Sequence, residues 1–122
     1  MFDHLAIGVH DLAASRAFYE AALAPLGFGV VMEAGDRAVA FGPPARAIFW
    51  LRSDRKPAAG IHVAFQADSR EHVDAFHPAG LAAGGNDNGG PGIRPDYHAH
   101  YYAAFVHDPD GNNVEAVCHT PQ

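Results

Sequence analysis

The chain reads as an α+β protein built from two copies of one β-α-β-β-β half-domain that share a cleft. Three observations predict this. Displaced by 58 positions, the sequence lies on itself: His4 falls on His62, Leu5 on Val63, Ile7 on Phe65, Phe18 on Phe76, Leu23 on Leu81 and Gly27 on Gly85. A repeat of this kind marks units that bury their apolar faces together. Each copy also opens with an alternating strand and continues into a helix-spaced segment. A polar stretch, residues 53–60, separates them, giving module one at 1–52 and module two at 61–122.

The elements follow in order. Phe2 to Val9 alternates, with Leu5, Ile7 and Val9 on a helix-facing side and His4, Ala6 and Gly8 on the other. Asp11 offers an N-cap to a helix over Leu12–Leu26, which Gly27 can end in the left-handed conformation. Strands are expected at Phe28–Glu33, Ala38–Phe41 and Ala47–Leu51, parted by Ala34-Gly35-Asp36 and Gly42-Pro43-Pro44. In the second copy, Ile61, Val63 and Phe65 repeat the helix-facing side, and His62, Ala64 and Gln66 the other. Asp68 and Glu71 have capping-box spacing, and Pro78 is expected to kink or shorten the helix they open. Gly84 to Asp96 is rich in glycine, asparagine and proline and reads as a long loop, a feature often tied to function. Tyr101–His107 and Asn113–Cys118 are strands joined by a tight turn at Asp108-Pro109-Asp110-Gly111.

Bulk properties exclude several classes. The hydrophobic share of 48% and charged share of 18% are those of a globular chain. A net charge of −6, with few scattered lysines and arginines, provides no basic stripe, so nucleic acid is not an expected partner. No apolar run approaches the roughly 20 residues that span a bilayer, and no signal peptide is visible. The expected location is cytoplasmic. One cysteine, Cys118, excludes an internal disulfide and reads as core.

The chemistry lies in three residues. His4 and His62 occupy equivalent positions in the repeats, and Glu115 shares their face, turned from the helices. A carboxylate held inside a protein is costly unless it is paired or binds a cation. Two imidazoles and one carboxylate with open coordination positions suit a catalytic divalent ion, here Fe, Mn, Zn, Ni or Co.

Asp3-His4-Leu5 opening a strand, Asp11-Leu12 with Ser15 and Phe18-Tyr19, and Asp108-Pro109-Asp110-Gly111-Asn112 followed by Glu115 resemble the vicinal oxygen chelate superfamily. That group includes glyoxalase I, extradiol dioxygenases, fosfomycin-resistance thiol transferases and bleomycin-resistance proteins. The resemblance spans nearly the whole chain. It implies paired βαβββ modules forming an open curved sheet, or half-barrel, around a central cleft, with His4, His62 and Glu115 as metal ligands. Glyoxalase I-like members add a fourth ligand, a glutamate from the last strand of the first module. Here that stretch is Ile48-Phe49-Trp50-Leu51, which departs from the glyoxalase I pattern.

Other residues could line a substrate pocket. Tyr97-His98-Ala99-His100-Tyr101-Tyr102 is the densest aromatic and histidine patch. Tyr101, Tyr102 or His100 could exchange a proton with substrate, though the two tyrosines of a regular strand point to opposite faces. Tyr97 and His98 could line the pocket, Phe49 and Trp50 could stack on a substrate, and Arg94 could fork onto a carboxylate. The expected function is a metal-dependent enzyme acting on a small oxygenated molecule through two adjacent oxygens. The alternative is a metal-free small-molecule or drug-binding protein on the same scaffold. A homodimer is expected, because each curved sheet must be closed by another module.

Overall fold

The computed structural model describes residues 1–121, so the last residue assigned to module two, Gln122, lies outside them. The first repeat forms β1 (Leu5–Gly8), α1 (Leu12–Leu23), β2 (Gly29–Ala34), β3 (Ala38–Gly42) and β4 (Phe49–Arg52). A 3₁₀ turn, Ala24–Leu26, prolongs α1, and Gly27 closes it at φ 86°. The second repeat forms β5 (His62–Gln66), α2 (Arg70–Ala82), β6 (Asn86–Asp87), β7 (Gly92–Ile93), β8 (Tyr102–His107) and β9 (Asn113–Cys118). The two sheets run β1-β4-β3-β2 and β5-β9-β8-β6, with β7 also on β8, and neither closes on itself. In each, the first strand lies parallel to the last, β1 on β4 and β5 on β9, so both sheets are mixed.

Three local expectations are corrected. The capping residue of α2 is Ser69, whose Oγ accepts from the His72 N–H at 3.3 Å, so the Asp68–Glu71 box does not form. Pro78 lies inside α2, which continues to Ala82. Proline removes one backbone donor, but Phe76 and Gly80, buried on either side of it, keep the helix packed. The glycine-rich segment is not all loop: β6 and β7 each add two residues to the edge of β8, a split counterpart of β2.

A single apolar cluster draws on both repeats. Tyr19 of α1 packs on Phe49 of β4 with centroids 4.9 Å apart, and Phe49 on Phe65 of β5 at 5.2 Å. The segment between repeats crosses the other side of β1. A Cβ on Gly8 would stand 2.6 Å from the carbonyl oxygens of Arg55 and Lys56, so only glycine fits there.

The Asp-Pro-Asp-Gly turn acts as a clasp between the repeats. The buried Asp108 carboxylate accepts from the Tyr19 hydroxyl at 2.6 Å and from the Asn112 side chain at 3.0 Å. It also accepts from the backbone of Asp110 and Asn112, both at 2.9 Å. Asp110 in turn lies 2.7 Å from His10 Nδ1. Burial, and then the Asp108 charge, push the Tyr19 phenol well above its usual range. A raised phenol pKa stabilises the fold below the unfolded value of about 10, and that contribution is lost as pH rises beyond it. Denaturant unfolding is therefore expected to show stability falling above about pH 10, with a shallower fall for Tyr19→Phe.

Candidate metal and substrate site

Strand register places the two halves of the site. Ala64 of β5 lies opposite Glu115 of β9, and Phe105 of β8 flanks Glu115 on the other side. These residues share the face turned from α2, because directly opposed residues project together. Glu115 is 1% exposed. Its Oε1 lies 2.8 Å from His62 Nε2, and its Oε2 accepts the Tyr101 hydroxyl. Burial, and then this bond, raise the Tyr101 phenol, so it stays protonated at neutral pH.

The first repeat shows the same framework with other side chains. Ala6, the counterpart of Ala64, lies opposite Trp50, so Trp50 holds the position that Glu115 holds in the second repeat. Trp50 lines a small cleft with His4, Ala6, Met32, Arg52 and Arg55. Phe49 points the other way; it is 2% exposed, packs in the core and borders the larger cleft between the repeats.

His4 does not reach the His62–Glu115 pair within the chain. It lies just before β1, with Nδ1 2.7 Å from Asp3 Oδ1. Among the described residues no three histidine, cysteine, aspartate or glutamate side chains gather closely enough to hold one metal ion. Both histidines do border a cleft of about 640 Å³ between the repeats, with Phe2, Leu5, Ile48 and Phe65 among its other walls.

The aromatic patch divides across β8. Tyr101 faces Glu115, whereas the Tyr102 hydroxyl reaches Asp74 on α2 at 2.5 Å under the Arg70 guanidinium. Tyr102 is thus turned from the site. Tyr101 is boxed in by Tyr97 at 4.7 Å, His98 at 5.4 Å and His119 at 5.3 Å between ring centroids. The hydrogen bonds fix the tautomers. The His100 N–H donates to His98 Nδ1 at 3.0 Å, so His98 carries its proton on Nε2 and donates to His119 Nδ1 at 2.8 Å. His100 serves this chain through its backbone. Arg94 lies over the Phe105 ring, 5.2 Å from its centroid.

Sequence reasoning did not single out Phe105 or His119. Alternation across the tight turn could have placed Phe105 beside Glu115. Nothing local signals the pairing of His119 with His98, 21 residues away.

A model of the Glyoxalase/Bleomycin resistance protein/Dioxygenase superfamily matches residues 1–116. The chain belongs to this superfamily. Among solved structures, a glyoxalase/bleomycin resistance protein from Albidiferax ferrireducens is similar over 97% of this chain and 98% of its own, with 35% identity and a TM-score of 0.84. A lactoylglutathione lyase from Agrobacterium tumefaciens shares 23% identity over 97% of this chain and 92% of its own, with a TM-score of 0.69. A glyoxalase/bleomycin resistance protein/dioxygenase family enzyme from Burkholderia phytofirmans shares 19% identity over 97% and 98%, with a TM-score of 0.72. The last two show the superfamily fold alone. No curated protein matches the chain. No helix among the described residues is long and apolar enough to cross a membrane.

Proposed function

We propose that this protein is a metal-dependent enzyme that acts on a small oxygenated substrate through two adjacent oxygens. The observation that carries the reading is the buried Glu115 carboxylate with the His62 Nε2 atom 2.8 Å from one of its oxygens. An imidazole nitrogen and a carboxylate oxygen so close can share one cation at bond lengths of roughly 2.0–2.2 Å. The donor chemistry fits a first-row divalent ion, Fe, Mn, Zn, Ni or Co. His4 of a second copy is the third ligand in this reading, brought to the pair across a homodimer axis. When bound, the ion would supply Lewis-acid stabilisation of negative charge developing on substrate oxygen.

The chain's own residues do the rest. Glu115 and His62 hold the ion. Tyr101, protonated at neutral pH, orients the Glu115 carboxylate through Oε2, and Tyr97, His98 and His119 hold Tyr101 in place. Trp50 stands where the glyoxalase I pattern would put a further carboxylate. A three-ligand set departs from the glyoxalase I pattern and is more like that of the dioxygenase and thiol-transferase branches of the superfamily.

Metal counting tests the reading. Protein purified free of metal and then offered Fe, Mn, Ni, Co or Zn is expected to retain one ion per chain. No stoichiometric ion under any of these conditions would sink it. Mixing tests the role of His4. Chains carrying His4→Ala and chains carrying Glu115→Gln are each expected to bind metal far more weakly than wild type, while unfolding and refolding them together restores wild-type affinity to part of the sites through mixed dimers.

One observation favours a second reading, a metal-free binding protein. Both Glu115 oxygens already have partners within the chain, His62 and Tyr101. On that reading Glu115→Gln and His62→Ala leave ligand affinity within a few-fold of wild type.

A further inference from the structure

The segment between α2 and β8 builds a fixed positive charge. Arg94 follows β7, and its guanidinium is tied to the segment's own backbone. Nη1 donates to the Gly92 carbonyl at 2.9 Å and Nη2 to the Gly90 carbonyl at 2.8 Å. Glycines make the room: a Cβ on Gly89 would stand 3.1 Å from Nη2, and one on Gly92 3.2 Å from Nη1. Either contact is tighter than side chains ordinarily make. The guanidinium also lies on the Phe105 ring, a cation–π arrangement. The His62 ring is 6.3 Å from the same phenyl ring, and Glu115 is its register partner. Guanidinium and imidazole thus flank one aromatic ring, on the strand position opposite Glu115.

This charge lacks a counterpart. Among the described residues Arg94 enters no ion pair, although the chain has 14 acidic residues. Two of its five N–H groups are taken by the loop carbonyls and three are left. A guanidinium held in place before a ligand arrives loses little further freedom on binding, and its planar fork matches a carboxylate.

We infer that the site takes an organic carboxylate, held by Arg94 through its carboxylate group while the rest of the molecule lies along Phe105 toward His62 and Glu115. The anion subsite stands on Arg94 and its loop; only the placing of the substrate's other oxygens rests on the metal reading above. A monoanion matches one guanidinium. A phosphomonoester, carrying nearly two charges, would meet one cation and the Glu115 carboxylate.

Two measurements test this and separate it from the metal reading. In the first, metal-free protein labelled with ¹⁵N is titrated with benzoate while the Arg94 Nε–H and Phe105 amide signals are followed. Saturable shifts at both, with the Phe105 shift lost in Arg94→Gln, are expected. No saturable shift in wild type, or tighter binding of phenyl phosphate than of benzoate, overturns the carboxylate subsite without recourse to any variant. In the second, metal-loaded protein is titrated with catechol and with 3,4-dihydroxybenzoate, which share vicinal oxygens and differ by one carboxylate. The carboxylate should tighten binding about 10- to 100-fold in wild type, the range of charge-assisted hydrogen bonds. Arg94→Gln should bring the two compounds level, and Arg94→Lys should recover only part of the difference. Equal affinities in wild type overturn the inference and leave the metal reading standing. Benzoate shifts with no metal uptake support the subsite and overturn the metal reading.

Discussion

Glu115→Gln is expected to lower the proposed metal affinity at least about 100-fold, because loss of even an outer-shell partner costs 10- to 100-fold. Glutamine has nearly the same volume, so the 1% exposed position stays filled and the fold should persist. The charge is lost, however, and one oxygen becomes an NH₂ group. In the free protein Oε2 accepts from Tyr101, and Oε1 faces His62 Nε2. An amide therefore presents a donor to one of them and forces a tautomer change in His62 or a turn of the Tyr101 hydroxyl. Competition with a chromophoric chelator measures the affinity, and circular dichroism shows whether the variant is folded. A folded Glu115→Gln protein with wild-type metal affinity would remove Glu115 from the ligand set. Tyr101→Phe serves as the graded comparison. It leaves the carboxylate but removes its orienting bond, so a loss of about 10- to 100-fold is expected.

Asp108→Ala is expected to be the most destabilising change at the clasp between the repeats. The carboxylate is 1% exposed and accepts four hydrogen bonds, from Tyr19, the Asn112 side chain and the backbone of Asp110 and Asn112. Removing it leaves the fully buried Tyr19 hydroxyl without a partner and releases the turn that holds β8 to β9. A buried donor left unpaired costs about 1–3 kcal/mol, and more when its partner was charged, so a total loss of about 3 kcal/mol or more is expected. For a chain of this size that corresponds to a Tm lower by roughly 10 °C. Scanning calorimetry checks it, and a drop of only a degree or two would show that the clasp is dispensable. Tyr19→Phe should cost less, because phenylalanine leaves no orphaned donor in the core. The double variant should then cost less than the two single changes added together.

The elements with strong periodicity were legible in the sequence. β9 begins at Asn113 and ends at Cys118, the limits set by alternation, and the 58-residue offset aligned two repeats that fold alike. Shorter signals were less reliable. Two adjacent polar residues competed to cap α2, and the backbone N–H of His72 chose Ser69 over Asp68. The glycine-rich segment hid β6 and β7, because two-residue strands have no period to read; only the exposed edge of β8 makes them strands.

The candidate site divides along the same line. Alternation puts His62 and Glu115 on one face of one sheet, and their parallel neighbouring strands bring them to 2.8 Å. Tyr101 and Tyr102 separate to opposite faces for the same reason. The distance from His4 to that pair depends instead on how two sheets sit against each other, which no spacing along the chain encodes. Nor does the sequence show that Gly89 and Gly92 make room for Arg94, since that needs the folded path of the segment. The sequence by itself determined the repeat, the faces of its strands and which residue types share the face of the proposed site, because backbone geometry fixes side-chain direction within a strand. Tertiary structure alone decided which partners Glu115 keeps, that Trp50 takes its place in the other repeat, and where Arg94 is anchored, because those depend on register and packing between segments far apart in the chain.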